Sequence, residues 1–262
     1  MPMLTSATTH TKQSNKSSSM KSLMTSTPAL LAAGAITLGL ASSQAAIITL
    51  PSGLNPGDQY RLVFVTSGTI AGTVSQGGPT DIAAYNAFAT SAATSVAELS
   101  ALTGSWNAVV SYRGPDNLGN LTTVARDNTG TNPVANGTGV AIYNLAGLIV
   151  ANNNADLWDG TISNTINVTE TGTTKADVTH VNTGTLSNGS SGTDYWMGKD
   201  PGGTYMGLGE VGSLTQWTQH GRDNGTVREI YVMSGILTVP VPEPSAVLLG
   251  GLGLLGLLRR RR

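Results

Sequence analysis

A short apolar run near the C-terminus is the feature that most constrains the fold of this chain. Residues 246–258 are 13 consecutive positions without a charged side chain, and four arginines follow them directly. A helix of this length covers roughly 20 Å, which is less than a hydrocarbon core of about 30 Å. Membrane insertion is still expected, because arginines snorkel and bilayers thin locally. The alternative, a buried C-terminal core helix, would usually carry polar residues on one face.

The residues before this run complete a pattern. Pro242, Glu243 and Pro244 precede it, and the prolines disfavour extension of the helix toward the N-terminus. The order of Pro-Glu-Pro, apolar helix and basic terminus resembles the PEP-CTERM sorting signal of exported bacterial proteins. The resemblance implies recognition by an exosortase, a membrane transpeptidase-like enzyme, and often removal of the helix. It also implies a destination in the cell envelope or the extracellular polymer, with the Pro-Glu-Pro residues processed and not catalytic.

The basic terminus sets the expected orientation of the anchor. By the positive-inside bias, cationic residues beside a membrane helix stay in the cytoplasm. The chain is therefore expected to be anchored first in the inner membrane, with its C-terminus cytoplasmic and the preceding residues outside. The residues that flank the anchor on the cytoplasmic side are Arg259, Arg260, Arg261 and Arg262.

A second targeting segment is expected at the N-terminus. Lys21 supplies a positive region, residues 29–41 supply an apolar region, and a small-x-small pattern predicts signal cleavage at Ala45. Because residues 1–19 are polar and rich in serine and threonine, Met20 is an alternative start. The predicted organisation is a signal peptide at 1–45, an exported globular domain at 46–239 and a sorting segment at 240–262.

The predicted exported domain is acidic, although the whole chain is nearly neutral. Residues 46–239 hold seven basic and 14 acidic side chains, a net charge of −7, against −1 for all 262 residues. This balance argues against a nucleic acid as partner. The chain has no cysteine, which excludes disulfides, thiol catalysis and thiolate metal sites. Its four tryptophans, among several apolar runs, argue against disorder.

Local patterns predict a domain that begins with a strand, continues with one or two helices and ends with a strand. Residues 60–65 are an apolar run typical of a buried strand, and residues 81–92 repeat apolar side chains at helical spacing, with Thr80 as the expected cap. A shorter helix is predicted at 96–102. The first and last strands are expected to pair and bring the ends of the domain together. Further strands are predicted at 106–112, 139–144, 148–151, 162–169 and 229–239. The strands at 139–144 and 148–151 are expected to form a hairpin. Loops are predicted at 113–133, 152–160 and 171–192.

A second and weaker resemblance rests on short stretches spread over most of residues 58–239. These stretches are 60–65, 125–127, 156–160, 169–172, 183–185 and 230–232. The domain resembles a group of PEP-CTERM exported domains and, more distantly, endostatin-like members of the C-type-lectin-like fold. The resemblance implies a single α+β domain with two helices, paired terminal strands and a loop-rich second half; an all-β sandwich is the alternative. The chain departs from that fold in lacking its cysteines and the Glu-Pro-Asn, Gln-Pro-Asp and Trp-Asn-Asp triplets of calcium-dependent sugar binders.

One loop has the composition of a weak cation site. Asn152, Asn154, Asp156 and Asp159 space side-chain oxygens as calcium prefers. An EF-hand loop, however, requires glycine at its sixth position, where Leu157 stands. The alternative is a polar turn in which these side chains bond the backbone.

The remaining candidates for chemistry are two histidines and two carboxylate pairs. His180 and His220 are interpreted as solvated loop side chains, because no Gly-x-Ser-x-Gly motif and no cluster of zinc ligands accompanies them in the sequence. The carboxylate pairs that glycosidic chemistry would require are Asp81 with Glu98 and Asp156 with Asp159.

Two functions follow from these patterns. The favoured one is an exported surface or extracellular-matrix module without a cofactor, which binds extracellular polysaccharide or neighbouring proteins, or has a structural role, and is not an enzyme. The alternative is a hydrolase that acts on extracellular polysaccharide.

Overall fold

A computed structural model describes residues 45–74, 77–113, 123–192, 195–198, 206–223, 227–242 and 259, which all belong to one unit of the chain. Residues 1–44 of the predicted signal peptide, Glu243, Pro244, the apolar run 246–258, Arg260, Arg261 and Arg262 lie outside the described residues. In the described part of the chain, no helix has both the length and the apolar character needed to cross a membrane.

The described chain contains many short strands and few helices. The strands are β1 (Gln59–Val65), β2 (Ile70–Ala71), β3 (Trp106–Ala108), β4 (Ala141–Asn144), β5 (Ile149–Ala151), β6 (His180–Asn182), β7 (Met206–Glu210), β8 (Gly221–Asp223), β9 (Val227–Arg228), β10 (Tyr231–Ser234) and β11 (Leu237–Thr238). The helices are α1 (Ile82–Thr94), α2 (Ala97–Ser100), α3 (Ala125–Asn128) and α4 (Asn154–Leu157). This mixture confirms the coarse prediction of an α+β or strand-rich domain.

The main sheet is organised around β1. Its strand order is β3-β10-β1-β4-β5, and β11 pairs with the beginning of β1. The strand β1 runs antiparallel to β10 and β11 but parallel to β4. The strands β4 and β5 form the antiparallel hairpin that the sequence predicts. Two smaller sheets, β2-β9 and β6-β7-β8, complete the strand pairing of the described residues.

The strand β1 is buried on both of its faces. Because alternate strand residues face opposite sides of a sheet, Leu62 and Phe64 join one core cluster, and Val63 and Val65 join another. The first cluster includes Tyr85, Ala89 and Ala93 from α1, and the second includes Trp158, Trp217 and Tyr231. A strand covered on both faces explains the uninterrupted apolar run in its sequence.

The helix α1 lies where the periodicity predicts it, but its cap is different. Asp81, and not Thr80, is the N-cap, and its Oδ1 accepts a hydrogen bond of 2.7 Å from the backbone N–H of Ala84. Asp81 takes this role because its extended backbone aims the carboxylate at the free N–H groups of the first turn. The 13 residues of α1, packed against the main sheet, favour an α+β domain over an all-β sandwich.

The first and last strands of the domain lie side by side. Gln59 and Tyr60 of β1 pair with Thr238 and Leu237 of β11. The N–H of Gly57 donates to the Val239 carbonyl at 3.0 Å, so the contact continues beyond the strands. The predicted pairing of the first and last strands is therefore confirmed.

Several predicted elements are wrong in extent or kind. No regular strand forms within 162–169, where only Val168 and Thr169 make isolated bridges. The predicted strand 106–112 is limited to β3, and the predicted strand 229–239 is divided into β10 and β11. Regions interpreted as loops contain α3, α4 and β6. These short elements are held by partners far away in sequence, which local periodicity does not reveal.

Candidate functional site

The β6-β7-β8 sheet brings together three side chains that are widely separated in sequence. His180, the first residue of β6, is the register partner of Glu210, the last residue of β7. His220 directly precedes β8, and its backbone N–H donates to the Leu208 carbonyl of β7 at 2.6 Å. The central strand therefore carries the glutamate, one neighbouring strand carries His180, and His220 lies just before the other.

Buried residues next to these side chains fix where the strands sit. Val181 and Val211, which follow His180 and Glu210 in sequence, are fully buried in the second core cluster. Successive residues of a strand face opposite sides. The side chains of His180 and Glu210 consequently lie on the partly exposed side of the sheet.

The loop between β7 and β8 is anchored by Trp217. This side chain is fully buried, stacks on Trp158 with ring centroids 5.3 Å apart and packs against Tyr231 at 5.9 Å. The loop is closed where the Glu210 N–H donates to the Gln216 carbonyl at 3.0 Å. His220 follows this anchor by three residues, so its backbone position is set by core packing.

The three side chains are close enough to share one small ligand. The Nδ1 atom of His220 lies 3.0 Å from Oε2 of Glu210 and 3.1 Å from Oε1 of Gln216. The rings of His180 and His220 have centroids 4.7 Å apart and are tilted by 35°. One potential metal-ligating atom from each of His180, Glu210 and His220 lies within 4.8 Å of the others.

Burial and charge act together on the histidines and their surroundings. Burial lowers the pKa of His180, and the charges of His220 and Arg228 lower it further, while Glu210 and Asp223 act in the opposite direction. A lowered pKa favours the neutral imidazole, the form that ligates metals. Arg228 is itself paired with Asp223 at 2.6 Å.

Glu210 also influences the core below the site. Burial raises the pKa of the Tyr231 hydroxyl, and the nearby charge of Glu210 raises it further. Tyr231 is fully buried and therefore stays neutral. The sheet thus separates a charged, partly exposed cluster from an apolar interior.

The interpretation of His180 and His220 as solvated loop side chains is wrong for His180, whereas His220 is exposed and lies just outside a strand. His180 belongs to a paired strand, and both rings lie together beside a carboxylate. The sequence contains no compact motif for this cluster, because the three residues span positions 180 to 220. Only knowledge of the strand pairing could have identified it.

The loop predicted as a weak calcium site uses its oxygens locally. Oδ2 of Asp156 accepts hydrogen bonds from the backbone N–H (2.6 Å) and the side-chain amide (2.8 Å) of Asn152. The amide of the buried Asn154 donates to the Gly137 carbonyl at 2.9 Å, and Oδ1 of Asp159 accepts from the Thr161 N–H at 2.9 Å. These are the contacts of the polar-turn alternative; calcium binding here stays a prediction.

The remaining predicted residues lie at the ends of the domain or at helix starts. Ala45, Pro242 and Arg259 are exposed, and the other sorting and flanking residues lie outside the described part. Asp81 caps α1, and Glu98 is exposed in the first turn of α2.

Comparison with known protein families finds a match at the C-terminal end of the chain. The region in question begins at Pro240, two residues after the end of β11. Residues 240–262 match the PEP-CTERM protein-sorting motif. This match confirms the expectation drawn from Pro242, Glu243, Pro244 and the apolar run. Comparison with curated proteins finds no match.

The sorting motif indicates how the protein is exported and processed. It indicates an exported surface protein that is processed by an exosortase, which is therefore a partner of the chain. It also implies that the protein is anchored in a membrane only transiently.

Proposed function

We propose that the chain is an exported surface or extracellular-matrix module whose domain, residues 46–239, has a non-enzymatic binding or structural role. The observation that carries this proposal is the PEP-CTERM match over residues 240–262, which starts directly after the last strand of the domain. A sorting motif at that point makes the folded domain the delivered product. An exported polysaccharide hydrolase is the alternative, and the experiments below separate the two.

The arrangement of the domain ends supports delivery from a single tether. The sorting motif follows β11, and Thr49 lies beside the same end of β1, where the Tyr60 hydroxyl donates to the Thr49 carbonyl at 2.8 Å. In the proposed pathway, signal cleavage at Ala45 frees one end. The run 246–258 holds the other end in the inner membrane, with Arg259–262 in the cytoplasm, until the exosortase acts.

The proposed ligand class is extracellular polysaccharide or a neighbouring matrix protein, in keeping with the lectin-like resemblance of the domain. Its four tryptophans do not serve as sugar-stacking platforms, because Trp106, Trp158, Trp196 and Trp217 are all buried. Among the described residues, the partly exposed aromatic side chains are Phe88, Tyr143 and Tyr195, and Arg222 lies over the Tyr195 ring at 4.7 Å, so aromatic stacking on a sugar would rely on Phe88 and Tyr143.

The processing proposal is tested by intact mass of the protein from membrane and medium fractions of a host that contains an exosortase. We expect a mature N-terminus after Ala45 and a C-terminus near Pro242–Pro244. Replacing Pro242, Glu243 and Pro244 together by alanine should leave the chain membrane-bound and full-length at its C-terminus. Release of this triple variant at the normal rate, or a wild-type chain retained in the cytosol with both ends intact, would contradict the proposal.

The binding role is tested with the processed protein on a glycan array and in pull-downs from the extracellular matrix. Saturable capture of one polysaccharide class or one matrix protein supports a binding module. Turnover of a polysaccharide that is lost in Asp156→Asn or Glu98→Gln would instead establish the hydrolase.

A further inference from the structure

The cluster of His180, Glu210 and His220 goes beyond a sorted matrix module, because nothing in that role requires two adjacent histidine rings beside a carboxylate. The geometry points to a binding site for one divalent transition-metal ion, with zinc as the best fit. His180 and His220 would supply imidazole nitrogens, and Glu210 would supply a carboxylate oxygen. These three residues are the ligands that we propose.

The distances between the ligating atoms suit a metal of this size. Zinc lies about 2.0–2.1 Å from nitrogen and oxygen ligands, so two ligands at a tetrahedral angle are about 3.3 Å apart. Nδ1 of His220 and Oε2 of Glu210 are 3.0 Å apart, and all three ligating atoms fall within 4.8 Å of one another. The proposal requires side-chain rotations to close the remaining gap.

The donor set discriminates between metals. Calcium takes six to eight oxygen ligands, whereas two imidazoles and one carboxylate suit zinc and its neighbours in the first transition row. The chain has no cysteine to compete for such a metal. The site therefore differs in kind from the oxygen-rich loop at Asn152, Asn154, Asp156 and Asp159.

The backbone holds the ligands before any metal arrives. His180 and Glu210 are direct register partners, and His220 is fixed by its bond to Leu208 and by the nearby Trp217 anchor. Metal-ligating histidines usually bond a second polar group that orients the ring. That bond uses the ring nitrogen that does not bind the metal, so Oε1 of Gln216, 3.1 Å from Nδ1 of His220, would instead be a further oxygen ligand.

The site is open to solvent. The side chains of His220 and Glu210 are 34% and 22% exposed. Three protein ligands leave a fourth tetrahedral position for water or for a donor from another molecule. A metal can thus enter and leave without unfolding of the domain.

The test is zinc titration of the full chain, purified in mild detergent without a polyhistidine tag and stripped with a chelator. The chain has three histidines, so a His10→Ala background leaves only the two proposed ligands. We expect one zinc ion per chain by calorimetry. Cobalt titration should give the intense visible absorption of four-coordinate Co²⁺, and not the weak absorption of six-coordinate Co²⁺.

Variants of the three residues separate metal ligation from an ordinary hydrogen-bonded cluster. His180→Ala and His220→Ala should each weaken zinc binding by more than the roughly ten- to 100-fold that loss of an outer partner produces. Glu210→Gln keeps nearly the same side-chain shape and should also weaken zinc binding. It therefore provides the test if a histidine variant does not fold. Asp156→Asn, which removes a carboxylate from the loop predicted as a calcium site, is the matched control and should leave zinc affinity unchanged.

Three results would overturn the proposal. The first is no stoichiometric zinc binding by the wild-type chain, and the second is a six-coordinate cobalt spectrum. The third is unchanged affinity in folded Glu210→Gln and in the double variant His180→Ala/His220→Ala.

Discussion

The stacked pair of Trp158 and Trp217 offers a direct test of how the second core is held together. Both rings are buried and lie 5.3 Å apart, but they differ in one respect. Nε1–H of Trp158 donates to Oγ1 of Thr131 at 2.9 Å. Nε1–H of Trp217 is buried and has no hydrogen-bond partner among the described residues. The same substitution, tryptophan to phenylalanine, should therefore have different results at the two positions.

The expected changes in the free energy of unfolding follow from the hydrogen bonding of the two indole N–H groups. Trp158→Phe loses a hydrogen bond worth about 0.5–1.5 kcal/mol, whereas Trp217→Phe removes an unsatisfied donor whose burial costs about 1–3 kcal/mol. Both variants lose similar ring volume, so the volume terms largely cancel in the comparison. We expect Trp217→Phe to be the more stable variant by about 1.5 kcal/mol or more. Trp217→Ala, which removes the whole ring, should lose about 3–5 kcal/mol.

Urea unfolding followed by far-UV circular dichroism measures these differences without relying on tryptophan fluorescence. With a slope of about 2 kcal/mol per molar urea, the midpoints of the two phenylalanine variants should differ by about 0.7 M or more. Val178→Ala, at a side chain that is 74% exposed, is the control and should stay within about 0.5 kcal/mol of wild type. Equal midpoints, or a more stable Trp158→Phe, would refute the reasoning.

Three further predictions concern the helix cap and the metal-site sheet. Asp81→Ala should lower the free energy of unfolding by about 1 kcal/mol, measured by thermal melts, because α1 loses its cap; an unchanged melting temperature would count against the assigned cap. Gly209→Ala should be strongly destabilising in urea, because its Cβ would overlap the Trp217 carbonyl, whereas Gly221→Ala meets open space and should be nearly neutral. Zinc at about 100 times its Kd should stabilise the wild-type chain by about 2.7 kcal/mol, and the same zinc concentration should leave His220→Ala unchanged.

The parts of the fold that sequence predicts are those with local signals. The run 60–65 becomes β1, the repeat after Asp81 becomes α1, and the 139–151 region becomes the hairpin of β4 and β5. In each case one stretch of chain carries enough apolar side chains to specify its own element. The pairing of β1 with β11 could be predicted for a related reason, because the first and last strands of the domain are both apolar in sequence.

The β6-β7-β8 sheet lacks such signals. The strand β7 contains two glycines in five residues, and β6 and β8 have only three residues each. Glycines in β7 are required by close approach: a side chain at Gly207 would overlap Tyr195, and one at Gly209 would overlap the loop at Trp217. A strand shaped by its neighbours in this way looks like a turn when its sequence is considered alone. The cluster of His180, Glu210 and His220 depends on that sheet, so it could not be predicted either.

Because the chain has no cysteine, the proposed metal could cross-link the domain where other exported domains use disulfides. An exported domain would commonly close its long loops with disulfides, and this chain has none. A metal held by residues 180, 210 and 220 would close the same kind of loop, because it joins three positions across 40 residues of chain. All three ligands lie between Ala45 and Pro240, so both predicted cleavages leave them in the mature protein. If the metal stabilises the domain in this way, a chelator should lower the melting temperature of the processed wild-type protein. It should have no effect on Glu210→Gln, and an equal shift in both proteins would show that the stabilising metal lies elsewhere.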